Sequence, residues 1–256
     1  MPRWQVRPYV VADLPEVLRI AGEGEADIDA FYLQYVAQAG RLLVAFDPNT
    51  FRTVAFGGAL PIRSVDRTVL MVTDLFVEEV NRGYRAGTEL LAALVGDHQH
   101  RMTSSSKEQA ALQVYHRQRM DSKWKVRYME GWGSKTDTVP SMLAASRLEA
   151  WRHDRPDLVD YYFRRGAIVG GDSVMLANPI EVRITRLHTD DAIDVLRRLI
   201  AHFPSGMKVS LCVPEHHPLS TWLDDHGFTE VDHDWFCCTQ GVRIDPDLAV
   251  IDPGLW

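Results

Sequence analysis

The run Arg82-Gly83-Tyr84-Arg85-Ala86-Gly87-Thr88 combines two cationic side chains with glycines that suit a turn. It follows an apolar, β-branched segment (residues 68–77) and precedes leucines at 90, 91 and 94, the spacing of a helix face. The free N–H groups of the helix start, the positive end of the helix dipole and both guanidinium groups would therefore lie together, where an anion could bind. Hydrogen bonds to a charged group contribute roughly 1.5–3 kcal/mol each, so three or four would hold a pyrophosphate. The loop alone is equally compatible with a solvated basic turn.

This run resembles the acyl-CoA binding motif of the GCN5-related N-acetyltransferase (GNAT) superfamily, Arg/Gln-x-x-Gly-x-Gly/Ala. Arg82 and Gly87 match its first and last fixed positions. Arg85 stands where glycine is usual, so either the turn needs no positive φ there or Arg85 accepts mild strain while its side chain reaches a phosphate. The resemblance implies acetyl-CoA as co-substrate, bound by the following residues: Leu75, Phe76, Val77, Arg82, Gly83, Tyr84, Arg85, Ala86, Gly87 and Thr88.

A second segment, residues 157–178, resembles the closing helix and strand of the same superfamily, which usually begin Leu-Tyr-x-x-x-Gly-Phe. Tyr162 and Gly166 match this pattern, whereas Ala167 replaces the aromatic residue. The resemblance makes Tyr162 the candidate general acid for the leaving CoA thiolate. Transfer from a phenol near pKa 10 to a thiolate near 8.5 is uphill by roughly 2 kcal/mol, so we expect a hydrogen bond with concerted transfer. The alternative is an amphipathic core tyrosine.

Asp74 is the candidate catalytic base. A lysine-like amine is neutral in only about one molecule in 2,500 at pH 7, a handicap of roughly 4.6 kcal/mol that a base must offset. On a regularly alternating strand, Asp74 shares a face with Leu70, Val72 and Phe76, where burial would make it a stronger base. The alternative is a locally hydrogen-bonded aspartate with proton removal through water. The loop residues 78 and 79, both glutamates, are expected to attract a cationic amine.

The surrounding pattern predicts an α/β fold of the α+β type with a mixed sheet, the GNAT fold. Residues 6–8 and 13–18 resemble the first strand and helix of the superfamily, and residues 42–45 and 54–60 predict the next two strands. The two motifs are farther apart than the resemblance implies, so an insertion is expected at about 99–140. Its first part, Thr103-Ser104-Ser105-Ser106, suggests a loop ending in a helix N-cap.

The pattern begins again, in reduced form, after residue 179. Helix, strand, helix and strand are predicted at 190–202, 208–213, 218–226 and 234–239. Trp222-Leu223 with Gly227-Phe228 resembles the closing motif without its tyrosine. We therefore expect an acetyltransferase domain at 1–179 and a degenerate half-GNAT structural domain at 180–256.

Composition limits the function classes. The chain has 256 residues, 46% of them apolar, and its 28 basic and 35 acidic residues give a net charge of −7. This charge disfavours nucleic acid and favours a cationic small-molecule amine. No apolar run has the length of a membrane span, and the three cysteines and the histidines have no metal-ligand spacing, so we expect no membrane partner, no metal and a cytoplasmic protein. A homodimer is possible.

The residues together predict an acetyl-CoA-dependent N-acetyltransferase that moves an acetyl group to a primary amine by direct attack in a ternary complex. Two alternatives are open. One is a CoA-binding sensor or scaffold that has lost catalysis, which the departures at Arg85 and Ala167 allow. The other is a protein or peptide acetyltransferase that uses the insertion and the half-repeat for docking.

Overall fold

The computed structural model describes residues 3–63, 67–134, 156–170, 173–188, 191–243, 248–250 and 252–255. The chain divides into two compact units. The first consists of Met1–Ser104, Glu108–Ser122 and Cys237–Val242. The second consists of Ser105–Lys107, Lys123–Phe236 and Arg243–Trp256. Within the described ranges, each helix is too short or too polar to cross a membrane.

The first unit is built on strands that follow one another in space as they do along the chain: β1 (Gln5–Pro8), β2 (Arg41–Phe46), β3 (Thr53–Arg63), β4 (Thr68–Val77) and β5 (Arg101–Ser106). Neighbouring strands are antiparallel except β4 and β5, which are parallel. The helices are α1 (Leu14–Glu23), α2 (Ala30–Ala39), α3 (Ala86–Val95) and α4 (Gln109–Arg117), with 3-10 turns at Val11–Asp13 and Glu79–Asn81. The α3 crossover lets β5 run parallel to β4.

Two adjacent glycines of β3 let helices approach both faces of this sheet closely. A Cβ atom on Gly57 would lie 2.6 Å from the Leu94 side chain of α3. A Cβ atom on Gly58 would lie 2.8 Å from the Val36 side chain of α2, on the opposite face. Because both faces are covered, β3 is buried continuously from Thr53 to Leu60.

A β-bulge in β4 decides which side chains share a face. Gly58 pairs with Asp74, but the next residue of β3, Ala59, pairs with Val72, so Thr73 is an extra residue. The extra residue reverses the alternation, and Asp74 lies on the face opposite to Val72 and Leu70. The prediction that Asp74 shares a face with Phe76 is therefore confirmed, and the prediction that it shares that face with Leu70 and Val72 is wrong.

The second unit contains strands β7 (Ile168–Gly170), β8 (Ser173–Ala177), β9 (Glu181–His188), β10 (Lys208–Pro214) and β12 (Leu248–Val250), and most of β6 (Asp121–Trp132) and β11 (Thr229–Cys238). Their spatial order is β11-β6-β10-β9-β8-β7, with β12 paired to β9. Its helices are α5 (Pro156–Arg164), α6 (Ala192–His202) and α7 (Pro218–Asp225). The apolar faces of α6 and α7 and one face of β6, β9 and β10 form its core.

Most predicted elements are confirmed, including the helix, strand, helix and strand after residue 179. The loop expected at Thr103–Ser106 is wrong, because these residues belong to β5. Thr103 and Ser105 are buried there, and the Thr103 hydroxyl donates to the Val72 carbonyl at 2.9 Å, so the polar side chains are satisfied within the sheet. The two compact units do not follow the division predicted at residue 179, and that sequence boundary stays a prediction.

Gly58→Ala should destabilise the first unit. The added methyl group would lie 2.4 Å from Thr73 Oγ1 and 2.9 Å from Asp74 Oδ2, so we expect a loss of about 1–3 kcal/mol in chemical denaturation. Gly22→Ala is the control, because nothing lies within 4 Å of its added Cβ and a helical alanine should leave stability unchanged or raised by about 0.5–1 kcal/mol. Equal stability of the two variants would show that the bulge tolerates a side chain at Gly58.

Candidate functional site

The turn between β4 and α3 has two residues in the left-handed region. Gly83 has φ of 82° and Arg85, the N-cap of α3, has φ of 70°. Of the two conformations expected for Arg85, the strained one is thus observed. For a residue with a Cβ atom this costs roughly 1–2 kcal/mol, which glycine would avoid.

The start of α3 leaves backbone donors available beside exposed cations. The first helical hydrogen bond of α3 runs from the Glu89 N–H to the Arg85 carbonyl, at 3.0 Å. The N–H groups of Ala86, Gly87 and Thr88 donate to no backbone acceptor among the described residues, and no side chain caps the helix. The Arg85 side chain is exposed and has no hydrogen bond or ion pair in the described part of the chain. These groups form a positive, donor-rich helix start of the kind that binds anions.

Arg82 and Tyr84 are held by contacts that shape this turn. The Arg82 Nε atom donates to the Val77 carbonyl at 3.2 Å, which bends the chain back towards the end of β4. The Tyr84 carbonyl accepts a hydrogen bond from Trp4 Nε1 at 2.8 Å. The Arg3 guanidinium lies 4.0 Å from the Tyr84 ring centroid and 4.6 Å from that of Trp4, within cation–π range. Sequence reasoning missed Arg3 and Trp4, because a contact across 80 residues has no local signal.

Glu78 anchors the beginning of the turn. Its side chain is buried and accepts from Arg19 at 2.8 Å, from Asn81 Nδ2 at 2.6 Å and from Arg52. Arg19 belongs to α1, so the ion pairs fasten that helix to the turn. The expectation that Glu78 attracts a cationic ligand is wrong, since two arginines already neutralise it; Glu79 is exposed.

The edge of β4 opens next to this turn. β4 and β5 pair from Leu70 to Val72, and in the described residues their ladder continues no further. On the other side of β4, pairing with β3 runs on to Val77, and the Glu78 N–H donates to the Val54 carbonyl at 2.9 Å. Because alternate residues of an antiparallel strand bond to the same neighbour, the backbone of Phe76 faces β3, while that of Leu75 and Val77 faces the opening.

The pleat of β4 therefore divides the three residues that were predicted to bind the ligand through their backbone. Leu75 and Val77 present peptide groups to the opening, as expected for residues that bind an extended amide-containing ligand. Phe76 does not, and its ring instead stacks on Phe56 at a centroid distance of 5.3 Å. The structure thus brings the opening of β4 and the 82–88 turn together at one end of a single strand.

Asp74 is a buried, hydrogen-bonded carboxylate. It is 7% exposed, and its Oδ2 atom accepts from the Tyr32 hydroxyl at 2.8 Å and from Thr73 Oγ1 at 2.7 Å. Tyr32 belongs to α2, so Asp74 faces that helix, in agreement with the face that the bulge sets. These contacts match the alternative of a locally satisfied aspartate, and its role as base stays a prediction.

Tyr162 lies in α5 of the second unit, whereas the turn and the β4 opening lie in the first. It is 1% exposed and its hydroxyl donates to Asp252 Oδ2 at 3.1 Å. Burial, followed by the negative charge of Asp252, raises the pKa of Tyr162 well above its usual value. A phenol of raised pKa whose proton is already donated is a weaker acid, and its assignment as general acid stays a prediction.

Among the described residues, four helices end in the same way, and one of these ends reveals a tyrosine that the sequence reasoning missed. In each, a residue with positive φ follows the helix, and the next N–H bonds back to a carbonyl five residues earlier. These bonds are Ala26 to Ala21, Met120 to Tyr115, Ala167 to Tyr162 and Phe228 to Leu223. The residues with positive φ are Glu25, Arg119, Gly166 and Gly227.

Tyr115 therefore occupies, in the first unit, the position that Tyr162 occupies in the second. It is 5% exposed and lies in α4, which follows β5 and contacts α3. The motif was missed because Arg119 stands where the pattern has glycine, with φ of 61°, and buried Met120 stands where it has an aromatic residue. Two arginines, Arg85 and Arg119, thus replace glycines at left-handed positions of the same unit.

Solved structures with a similar fold include acetyltransferases, several of them described as GCN5-related N-acetyltransferases. A protein from Pyrococcus horikoshii, described as a candidate acetyltransferase, has a TM-score of 0.79 at 13% identity, over 100% of this chain and 96% of its own. A GCN5-related N-acetyltransferase from Sphaerobacter thermophilus has a TM-score of 0.60 at 10% identity, over 96% of this chain and 98% of its own. A GCN5-related glucosamine N-acetyltransferase region of a fungal multi-domain β-N-acetylglucosaminidase has a TM-score of 0.61 at 12% identity, over 93% of this chain and 38% of its own.

Neither protein-family models nor curated protein sequences match this chain significantly. The structural likeness nevertheless extends over nearly the whole chain, including both units. The chain therefore has the GNAT fold with a mixed sheet, as the sequence predicts, and the fold is one of acetyltransferases. At 10–13% identity the likeness is one of fold.

Arg85→Gly should raise the stability of the protein and weaken its binding of acetyl-CoA. Glycine relieves the left-handed backbone, so we expect a gain of about 1 kcal/mol in unfolding free energy, while loss of the guanidinium should weaken acetyl-CoA binding about tenfold in calorimetry. Arg119→Gly is the matched control, because it makes the same exchange at the same kind of φ. It should gain similar stability and keep its acetyl-CoA affinity. Parent-like affinity of Arg85→Gly would remove its side chain from the anion site.

Proposed function

We propose that this protein is an N-acetyltransferase that moves the acetyl group of acetyl-CoA to a primary amine by direct attack in a ternary complex. The observation that carries the proposal is the donor-rich turn at residues 82–88 standing at the open edge of β4. The first feature suits a pyrophosphate and the second an extended chain of amides. Their junction at Val77 matches the order of these two groups in CoA.

The residues present fit CoA on physical grounds. The free N–H groups of Ala86, Gly87 and Thr88 and the exposed guanidinium groups of Arg82 and Arg85 would hold the pyrophosphate. The N–H and carbonyl groups of Leu75 and the N–H group of Val77 would bond the pantetheine amides along the open edge, while the Val77 carbonyl stays bonded to Arg82. When bound, the co-substrate supplies an acetyl thioester. A Cβ atom on Gly87 would lie 3.2 Å from the Val77 side chain, so glycine keeps the start of α3 close to this edge.

The proposed reaction needs no covalent enzyme intermediate. The neutral amine nitrogen attacks the thioester carbonyl carbon, a C–N bond forms, and the C–S bond breaks with the electron pair leaving on sulfur. An N–H group at the edge of β4 would stabilise the developing oxyanion. The amine proton leaves to Asp74 or to water, and the thiolate takes a proton from a tyrosine.

Tyr115 is the better supported proton donor of the two tyrosines. It lies in the same unit as the turn and the β4 opening, and its helix contacts α3. Tyr162 lies in the other unit and donates its proton to Asp252. We therefore propose Tyr115 as the general acid and keep Tyr162 as the competing assignment.

The acceptor is proposed to be a cationic small-molecule amine, on the strength of the net charge of −7. A cytoplasmic location and a homodimer belong to the same proposal. Thioester release measured with a panel of primary amines tests it directly. Binding of acetyl-CoA without release for any amine would favour the CoA sensor, and release only with peptides would favour the protein acetyltransferase.

Arg82→Ala should weaken acetyl-CoA binding about tenfold in calorimetry with little change in stability, because it removes one solvent-exposed, charge-assisted contact to the pyrophosphate. Arg197→Ala is the control, since this exposed arginine of α6 pairs with the nearby Asp194 and lies outside the 82–88 turn. Its affinity should equal that of the parent. Equal affinity of Arg82→Ala and the parent would refute the assignment of this turn.

Tyr115→Phe should lower kcat at least tenfold with unchanged acetyl-CoA affinity, because it deletes only the hydroxyl that protonates the thiolate. Tyr162→Phe is its matched counterpart, since it deletes the equivalent hydroxyl in the second unit. It should leave kcat within about twofold of the parent. The reverse pattern, with kcat lost only in Tyr162→Phe, would restore Tyr162 as the acid.

A further inference from the structure

The sheet of the second unit has one apolar and one polar face. Along β10, Val209, Leu211 and Val213 enter the core against α6 and α7. The alternate residues Ser210 and Cys212 point to the other face. Their register partners are Arg183 of β9 and Tyr128 of β6, so Arg183, Tyr128 and Cys212 share the polar face. None of these residues takes part in the site proposed for acetyl-CoA.

Arg183 places a guanidinium group on this face. It is half-buried, yet its guanidinium makes no hydrogen bond or ion pair among the residues that the structure describes. Burial, the largest single influence, opposes its charge, but the negative charge of Asp252 together with Cys212, Tyr162 and Tyr128 leaves the pKa of Arg183 raised. Arg127 of the same sheet shows the usual alternative, since it pairs with Glu230 at 2.6 Å and with Asp224 at 2.8 Å. The Arg183 guanidinium has five N–H donors, and at a partly desolvated position such donors are usually bonded to an acceptor.

Two carboxylates of this unit each accept a hydrogen bond from a tyrosine hydroxyl. Asp234 accepts from the Tyr128 hydroxyl at 2.9 Å, and Asp252 accepts from the Tyr162 hydroxyl at 3.1 Å. The Asp252 Oδ1 atom also accepts from the Gly254 N–H at 3.3 Å. Tyr128 is the register partner of Cys212, so its hydrogen bond brings Asp234 near Cys212, and the charges of both carboxylates disfavour ionisation of the Cys212 thiol. Desolvation raises the pKa of Asp234 and that of the Cys212 thiol, as expected where water is largely excluded.

We propose that this face of the second unit binds a free amino acid, with its carboxylate on Arg183 and its ammonium group towards Asp252 and Asp234. The planar guanidinium fork matches a carboxylate in a bidentate manner. One cation with two acids disfavours a phosphate dianion, whereas a zwitterion satisfies both signs of charge. The cluster of Arg183, Asp234 and Asp252 is called the zwitterion site below. The proposal does not depend on acyl transfer.

The full-length protein tests this site with defined probes. A thermal-shift screen of the twenty proteinogenic L-amino acids should find at least one that stabilises the protein, and calorimetry then gives its affinity. Succinate, putrescine and inorganic phosphate, which carry only one sign of charge, should bind at least tenfold more weakly. Equal binding of succinate or phosphate would overturn the zwitterion site in favour of a simple anion site, and no shift with any amino acid would overturn it outright.

Protein variants and ligand variants give independent readouts. Arg183→Gln should weaken the amino acid at least tenfold, whereas Arg197→Gln, on the exposed surface of α6, should bind like the parent. The methyl ester of the same amino acid should also bind at least tenfold more weakly to the parent, which tests the carboxylate contact even if Arg183→Gln fails to fold. Parent-like binding of the ester would overturn the proposal. Acetyl-CoA affinity, measured on each sample, reports separately on the site of the first unit.

Discussion

The candidate site depends on a strand whose backbone is hydrogen-bonded on one side only. β4 pairs with β3 as far as Val77 but with β5 only as far as Val72. From Thr73 to Val77 one edge of the strand is paired with β3, and the other edge has no strand partner in the described part of the chain. Apart from the Val77 carbonyl, which accepts from Arg82, the peptide groups of that second edge suit a ligand's amides. The bulge at Thr73 lies where the two edges begin to differ, and it sends Asp74 to the face of α2.

Ion pairs connect the elements next to the open edge of β4. Glu78 at the end of β4 binds Arg19 of α1 and Arg52 of the β2–β3 hairpin. At the other end of α1, buried Asp13 pairs with Arg7 at 2.6 Å. Burial alone would raise the pKa of Asp13, but the hydrogen bonds from Arg7, the Val10 N–H and Thr53 lower it overall. Of the two glutamates that were expected to attract a cationic amine, Glu78 therefore has a structural role, and Glu79 is exposed.

The sequence predicted the fold class and most elements, because apolar periodicity and glycine positions are local signals. Predictions from the sequence were wrong where a residue type occupies a position that another type usually takes. The polar run Thr103–Ser106 is a strand because its hydroxyl groups find partners inside the sheet. Tyr115 was missed because Arg119 takes a left-handed conformation that favours glycine, so the motif lacked its marker.

By itself, the sequence determined that an arginine- and glycine-containing turn joins a buried strand to a helix, which is enough to indicate an anion site at residues 82–88. Only the tertiary structure decided which groups surround it: the face of Asp74, the neutralisation of Glu78, and the separation of Tyr115 from Tyr162 into different units. The reason is physical. Turn and helix chemistry depends on neighbours in the chain, whereas bulge position, ion pairing and strand separation depend on contacts between residues far apart in it.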